Sequence, residues 1–190
     1  MSDLRREAER VLAEADCLHD AAAVQDAYER LAGAISHDYS GLDPLVLCVM
    51  TGGIMPAAEI TRRLAFAFEL DYLHATRYRS STQGGGLVWK RQPEAKRIEG
   101  RHVLVIDDIL DEGHTLVAIR EALLGFGPAS VKVAVLAEKI HDRRAPGAHA
   151  EYIGLKVEDR YVFGCGMDYK EYWRQLPAIY AVKAGAVRGR

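Results

Sequence analysis

Val103-Leu104-Val105-Ile106-Asp107-Asp108-Ile109-Leu110-Asp111-Glu112-Gly113-His114-Thr115-Leu116 is the stretch that decides the fold of this chain. Four apolar residues, three of them β-branched, run into two adjacent carboxylates. Such a run bounded by polar residues favours a fully buried strand. The spacing predicts a strand over 103–106, a tight acidic loop, and a helix from Thr115 to about Gly125. Backbone N–H groups at a helix N-terminus form an anion site. Carboxylates beside such a site suit a ligand with phosphate and sugar hydroxyls, and a divalent metal.

Working outward, the pattern repeats. Residues 45–49 read as a buried strand, followed by a Thr51-Gly52-Gly53 turn and a helix from Pro56 to about Phe68. Proline suits a first helical turn, where its missing N–H costs nothing. Strands are predicted over 71–76 and 130–136, and shorter ones over 152–155 and 161–165. Upstream, 3–16 and 20–37 read as amphipathic helices, with Val24, Ala27, Leu31 and Ile35 at helical spacing. Strand–helix alternation over 45–136 points to an α/β fold with a central parallel sheet flanked by helices. Residues 77–93 are polar and include Gly84-Gly85-Gly86. They read either as a solvated hairpin loop or as a lid, since long loops in compact domains are often lids.

The composition excludes several classes. The chain has 190 residues, enough for one domain with a real core. Its formal charge is −2, with no basic stripe of the kind a general nucleic-acid binder carries. No apolar run approaches the ~18 residues of a membrane span. The N-terminus has no signal-peptide core. Cys17, Cys48 and Cys165 are odd in number, widely spaced and without a CxxC, so they read as reduced thiols of a cytoplasmic protein. Cys48 falls in a strand pattern and is expected to pack as a small core residue.

In open α/β sheets, ligands collect beyond the carboxyl ends of the strands. Thr51-Gly52-Gly53, the acidic loop 107–115 and the segment around Lys139 should meet there. VLVIDDILDEGHTL resembles the phosphoribosyl-diphosphate signature of type I phosphoribosyltransferases: an apolar strand, two acids, a short loop with Asp and Gly, then Thr. A second stretch, VEDRYVFGCGMDYKEYWR over 157–174, looks like the purine-binding tail of hypoxanthine-guanine phosphoribosyltransferases. With both motifs the resemblance covers roughly residues 40–180. It implies one domain over 1–190, with N-terminal helices over 1–38, a mobile lid over 77–93 and a small purine-binding hood over 150–180.

The resemblance also implies a reaction. A 6-oxopurine, hypoxanthine or guanine, displaces diphosphate from phosphoribosyl diphosphate, giving IMP or GMP in purine salvage. Asp107 and Asp108 would hold the ribose hydroxyls directly or through Mg²⁺, with Asp168 serving a second Mg²⁺ on the diphosphate. Asp111 would be the base toward purine N7. Asp111, Glu112, Gly113, His114 and Thr115 would wrap the 5′-phosphate. Glu112 places an acid beside that phosphate, so its side chain should point away, and His114 stands where relatives often carry a longer basic or polar residue. Thr51 and Gly52 would meet the diphosphate, where many relatives carry Lys or Arg at the place of Thr51. Arg174 and Arg143 could supply the missing charge, although most arginines are simply exposed.

Lys139 would donate to purine O6. An ammonium only donates, so it favours a 6-oxo over a 6-amino base. Tyr161 would stack on the base, although a strand tyrosine is commonly core. Val162 would offer backbone groups, and Asp168 its carbonyl to a 2-amino group. Arg77 and Tyr78 stand where relatives carry Ser-Tyr at the lid, and Arg77 could add charge toward the leaving diphosphate. The implied partners are these small molecules and a second copy of the chain, as a homodimer or homotetramer, with neither nucleic acid nor membrane. Alternatives are a xanthine-preferring relative or a catalytically weak nucleotide-sensing regulator of the same fold.

Overall fold

The computed structural model describes residues 2–77, with only the backbone at 77, and 87–183. In chain order the elements are α1 (Asp3–Glu14), β1 (Asp16–His19), α2 (Ala21–Tyr39), β2 (Leu45–Val49), α3 (Ile54–Thr61), β3 (Glu69–Arg77) and β4 (Leu87–Arg91). There follow a 3₁₀ turn (Ala95–Arg97), β5 (His102–Leu110), α4 (His114–Leu124), β6 (Ser130–Lys139), β7 (Tyr152–Val157), β8 (Val162–Phe163) and β9 (Ile179–Ala181). Six strands form one sheet in the order β4-β3-β2-β5-β6-β7. All neighbours are parallel except the edge pair β3–β4. A small antiparallel sheet, β1-β9-β8, stands apart from it.

The strand alternation explains why the large sheet lies between two layers. In β5, Leu104 and Ile106 join the core beneath α2 and α3, whereas Val103 and Val105 join the core beneath α4. A strand buried on both faces needs apolar residues at every position, which is why 103–106 reads as a continuous run. Val24, Ala27, Leu31 and Ile35 of α2 are all buried, as their spacing predicts. Asp20 Oδ1 caps that helix by accepting from Ala23 N at 2.9 Å.

Four boundaries differ from the sequence reading. First, β5 does not stop at Ile106. It pairs with β6 through Ile109↔Ala137 and Leu110↔Glu138, so Asp107 and Asp108 lie in the strand rather than in a loop. Second, β6 extends to Lys139, which therefore sits on a strand end. Third, α3 ends at Thr61 instead of near Phe68. The Thr61 hydroxyl bonds back to Ala57 O at 2.6 Å. Arg63 turns to Glu59, Glu29 and Gln25, and the chain then folds Phe66 and Phe68 onto the core. Fourth, β1 and β9 were not expected, and the strand expected over 161–165 shrinks to two residues. The expected lid, 77–93, is partly strand: its distal arm, β4, pairs with β3, and residues 78–86 between them lie outside the described residues.

Candidate active site

The carboxyl ends of β5 and β6 converge on one cleft of about 240 Å³. Asp108, Ile109, Asp111, Lys139, Tyr161, Val162, Met167 and Asp168 line it. The main sheet supplies its acidic and basic wall, and the segment following β7 supplies the opposite one.

Asp107 and Asp108 each bend back on the main chain. Asp107 Oδ1 accepts from Asp108 N at 2.9 Å, and Asp108 Oδ1 accepts from Ile109 N at 2.7 Å. Burial raises both carboxyls above the ordinary range; repulsion from Asp108 adds to the rise at Asp107. Asp108 is partly relieved by its hydrogen bond with Asp107 and by the field of Arg174. The Gly52 turn presses directly on this pair. A Cβ at Gly52 would lie 2.0 Å from Asp108 Oδ2, so no other residue fits without moving the carboxylate.

Asp111 follows the strand and faces two donors. Lys139 Nζ donates to its Oδ2 at 2.6 Å, and His141 Nε2 lies 2.7 Å from its Oδ1. Burial opposes the Asp111 charge, but these two partners outweigh it and hold the carboxyl below its usual value. Lys139 itself is only 9% exposed, an uncommon place for an ammonium without a carboxylate. Gly113 then turns the chain into α4 at φ 79°, with no side chain capping the helix. The N–H groups of the first turn, together with Thr115, are thereby left for an anion. Glu112 lies 3.8 Å from both His114 Nε2 and Arg143 Nε, and about half of each side chain is in solvent.

On the facing wall, Val162 is buried, whereas Tyr161 is 46% exposed, with its ring edge-on to Tyr169 at 5.4 Å. Tyr161 is thus not a core tyrosine. Asp168 is anchored through both oxygens, to Arg174 Nη2 at 2.7 Å and to Glu171 N at 2.7 Å. Arg174 also donates to Gly166 O at 2.8 Å, tying the segment to itself. Arg143 lies outside the cleft in a two-point pair with Asp159 at 2.7 and 2.9 Å. Thr51 is exposed at the tip of its turn. Tyr78 lies outside the described residues, and Arg77 ends β3.

Of the residues expected from sequence, Asp108, Asp111, Lys139, Tyr161, Val162 and Asp168 meet in the cleft, with Asp107 immediately behind. Ile109 and Met167 are additional lining residues, and the buried His141 contacts Asp111. His141 could have been flagged as a titratable residue just beyond a strand's carboxyl end, whereas Ile109 and Met167 carry no signal that separates them from core. Among the described residues no three His, Cys, Asp or Glu side chains gather as a metal cage. The Asp107–Asp108 pair does fit Mg²⁺. Both offer hard oxygen donors that burial makes costly to ionise without a cation, and Mg²⁺ is commonly held by one or two carboxylates plus ligand oxygens and water. Asp168 fits less directly, since both its oxygens are engaged.

Comparison with known proteins agrees with this geometry. Residues 14–171 match the phosphoribosyl transferase domain family. The hypoxanthine-guanine phosphoribosyltransferase of Streptococcus pneumoniae is 32% identical over 160 residues, covering 84% of this chain and 88% of that protein. The hypoxanthine-guanine-xanthine phosphoribosyltransferase of Tritrichomonas foetus is 33% identical over 160 residues, covering 84% and 87%. The crystal structure of a Staphylococcus aureus hypoxanthine phosphoribosyltransferase matches with a TM-score of 0.83 at 27% identity, covering 90% of this chain and 94% of that one. No helix among the described residues is long and apolar enough to cross a membrane. The chain belongs to the phosphoribosyltransferase family, among the hypoxanthine-guanine phosphoribosyltransferases.

Proposed function

We propose that this enzyme transfers the 5-phosphoribosyl group from phosphoribosyl diphosphate to hypoxanthine or guanine, giving IMP or GMP and diphosphate in purine salvage. The observation that carries the reading is the buried Lys139 ammonium, 2.6 Å from Asp111 on one wall of a cleft whose other wall exposes Tyr161. A donor-only group suits a 6-oxo base, and the carboxylate beside it suits the adjacent N7–H. Tyr161 stacks on the base, Val162 offers main-chain groups to its edge, and the Asp168 carbonyl meets a 2-amino group. The first turn of α4, with Thr115, binds the 5′-phosphate. Thr51 and Gly52 meet the diphosphate, with Arg174 adding charge. Arg143 can contribute only after leaving Asp159.

Asp107 and Asp108 hold the ribose hydroxyls and are the residues that would hold Mg²⁺, which when bound neutralises charge on the diphosphate as it leaves. Asp168 would reach a second ion only by releasing Arg174. The segment over 150–180 acts as the hood that closes the base side. Exposed Leu70, Tyr72 and Val88 on one face of the β3–β4 edge support a homodimer or homotetramer, which sedimentation equilibrium can read. Three free thiols fit a cytoplasmic setting.

The test is turnover of the purified protein with phosphoribosyl diphosphate, Mg²⁺ and hypoxanthine, guanine, xanthine or adenine. Nucleotide should form from hypoxanthine or guanine and not from adenine. Absence of turnover with all four would overturn the assignment in favour of a nucleotide-sensing regulator. Xanthine is included because the Tritrichomonas foetus relative carries it in its name.

A further inference from the structure

We propose that His141 is a positioning residue for Asp111, holding one carboxylate oxygen so that the other is free for the base when Lys139 lets go. The inference rests on the purine reading above and deepens it.

The argument begins with the imidazole's proton. The His141 side chain is only 2% exposed, and its two nitrogens have different partners. Nδ1 accepts from the backbone N–H of Arg143 at 3.1 Å. A nitrogen that accepts cannot carry the proton of the neutral ring. The proton therefore sits on Nε2, which donates to Asp111 Oδ1 at 2.7 Å. Because the partner of Nδ1 is main chain, the tautomer is set by the loop itself. That loop is pinned on both sides: Arg143 pairs with Asp159, and Arg144 donates to Glu138 at 2.7 Å and to Lys139 O at 2.9 Å. The charged groups around the ring are thus Asp111, Lys139, Arg143, Asp159, Glu112, Glu138 and Arg144.

Both Asp111 oxygens are held before a base arrives, Oδ1 by His141 and Oδ2 by Lys139. A carboxylate held twice is a poor proton acceptor. Lys139 has a competing partner in the base oxygen, and moving to it exposes Oδ2 while His141 keeps the carboxylate from rotating. The N7–H proton then passes to Oδ2. As it does, the bond from purine N9 to C1′ forms, and the C1′–O bond breaks with its electron pair leaving on diphosphate. One donor exchanges and one stays, so the base is freed only when a 6-oxo group is present.

Three variants separate this from a structural role. Gln places an amide N–H close to where Nε2 lies, whereas Leu fills similar space with no donor. His141→Leu should lower kcat by about tenfold or more, a part of the roughly 10²–10⁴-fold that a positioned base supplies, with KM for phosphoribosyl diphosphate within about twofold. His141→Gln should recover most of that loss. Ring ¹⁵N shifts of the folded wild-type protein should show Nε2 protonated and Nδ1 bare. Leu and Gln variants with equal kcat, or a ring protonated at Nδ1, would overturn the proposal. Asp111→Asn is the control: if it lowers kcat while His141→Leu does not, the positioning role alone fails. If wild type turns over no base, it is the functional reading that fails.

Discussion

On the proposed reading base choice turns on Lys139, whose Nζ pairs with the Asp111 carboxylate at 2.6 Å and would turn to whatever acceptor the ligand brings. An ammonium cannot accept from a 6-amino group, so adenine would leave both donors facing each other. A glutamine can present either end. Lys139→Gln should therefore raise the ratio of adenine to hypoxanthine kcat/KM by about tenfold or more, with hypoxanthine turnover itself reduced. Competing-substrate assays read this directly, and an unchanged ratio would remove Lys139 from base recognition. At this scale the sequence was most and least legible at once. Lys139 and Asp111 carry motif positions, so each is visible alone. The His141–Asp111 contact spans thirty positions of chain and depends on the turn of 140–144, which no local pattern encodes. Glu112 and His114, odd beside a phosphate loop, are half in solvent and lie 3.8 Å from each other.

Elements were legible in proportion to how much apolar surface their own residues commit. β2, β5 and β6 are largely buried on both faces and announce themselves as mostly apolar stretches. The ends are different. Two aspartates after Ile106 look like a loop, yet β6 keeps pairing beside them, and tertiary pairing overrides the local preference of Asp. β1, β8 and β9 are two to four residues long and leave no period to read. β8 and β9 matter because, with α1, they contribute to a separate small core. Ala8 and Val11 of α1 pack with Phe163, Tyr169 and Val182, Trp173 Nε1 donates to Ala8 O at 2.8 Å, and Glu7 takes both Tyr169 and Lys170. An N-terminal helix thus braces the wall that carries Tyr161. Val11→Ala should cost about 1–2 kcal/mol through two lost carbons and a small cavity. If the bracing positions the hood, KM for the base should rise while KM for phosphoribosyl diphosphate stays within about twofold. Equal rises in both would instead mean general loosening.

At the scale of the molecule, the Asp107–Asp108 pair is shifted opposite to the paired carboxylates of the scaffold. In the scaffold, burial works against Asp71, but Arg91, Arg97 and the Tyr72 N–H hold it below the usual carboxylate range. Glu151 is likewise held low against burial by Arg120 and Val133 N. Such groups add stability above their unfolded values and lose it as pH falls through the folded ones. Asp107 and Asp108 have the opposite sign. Their folded values lie above the unfolded one of about 3.9, so the folded chain binds more protons than the unfolded chain in that window. Their contribution is present below the unfolded value and is lost as pH rises through the folded values. Ionising the pair as pH rises therefore works against the fold, which on the proposed reading is an exchange of stability for function. Asp107→Asn should melt higher than wild type at pH 7–8 without Mg²⁺, by about 2–4 °C for each kcal/mol relieved in a chain of this size. The gap should close as pH is lowered toward 4. Adding Mg²⁺ should raise the wild-type Tm and move the variant less, while turnover of the variant falls. Thermal scans at several pH values, with and without the ion, measure all of these. A variant no more stable than wild type at pH 8 would mean that the pair is already neutralised within the fold.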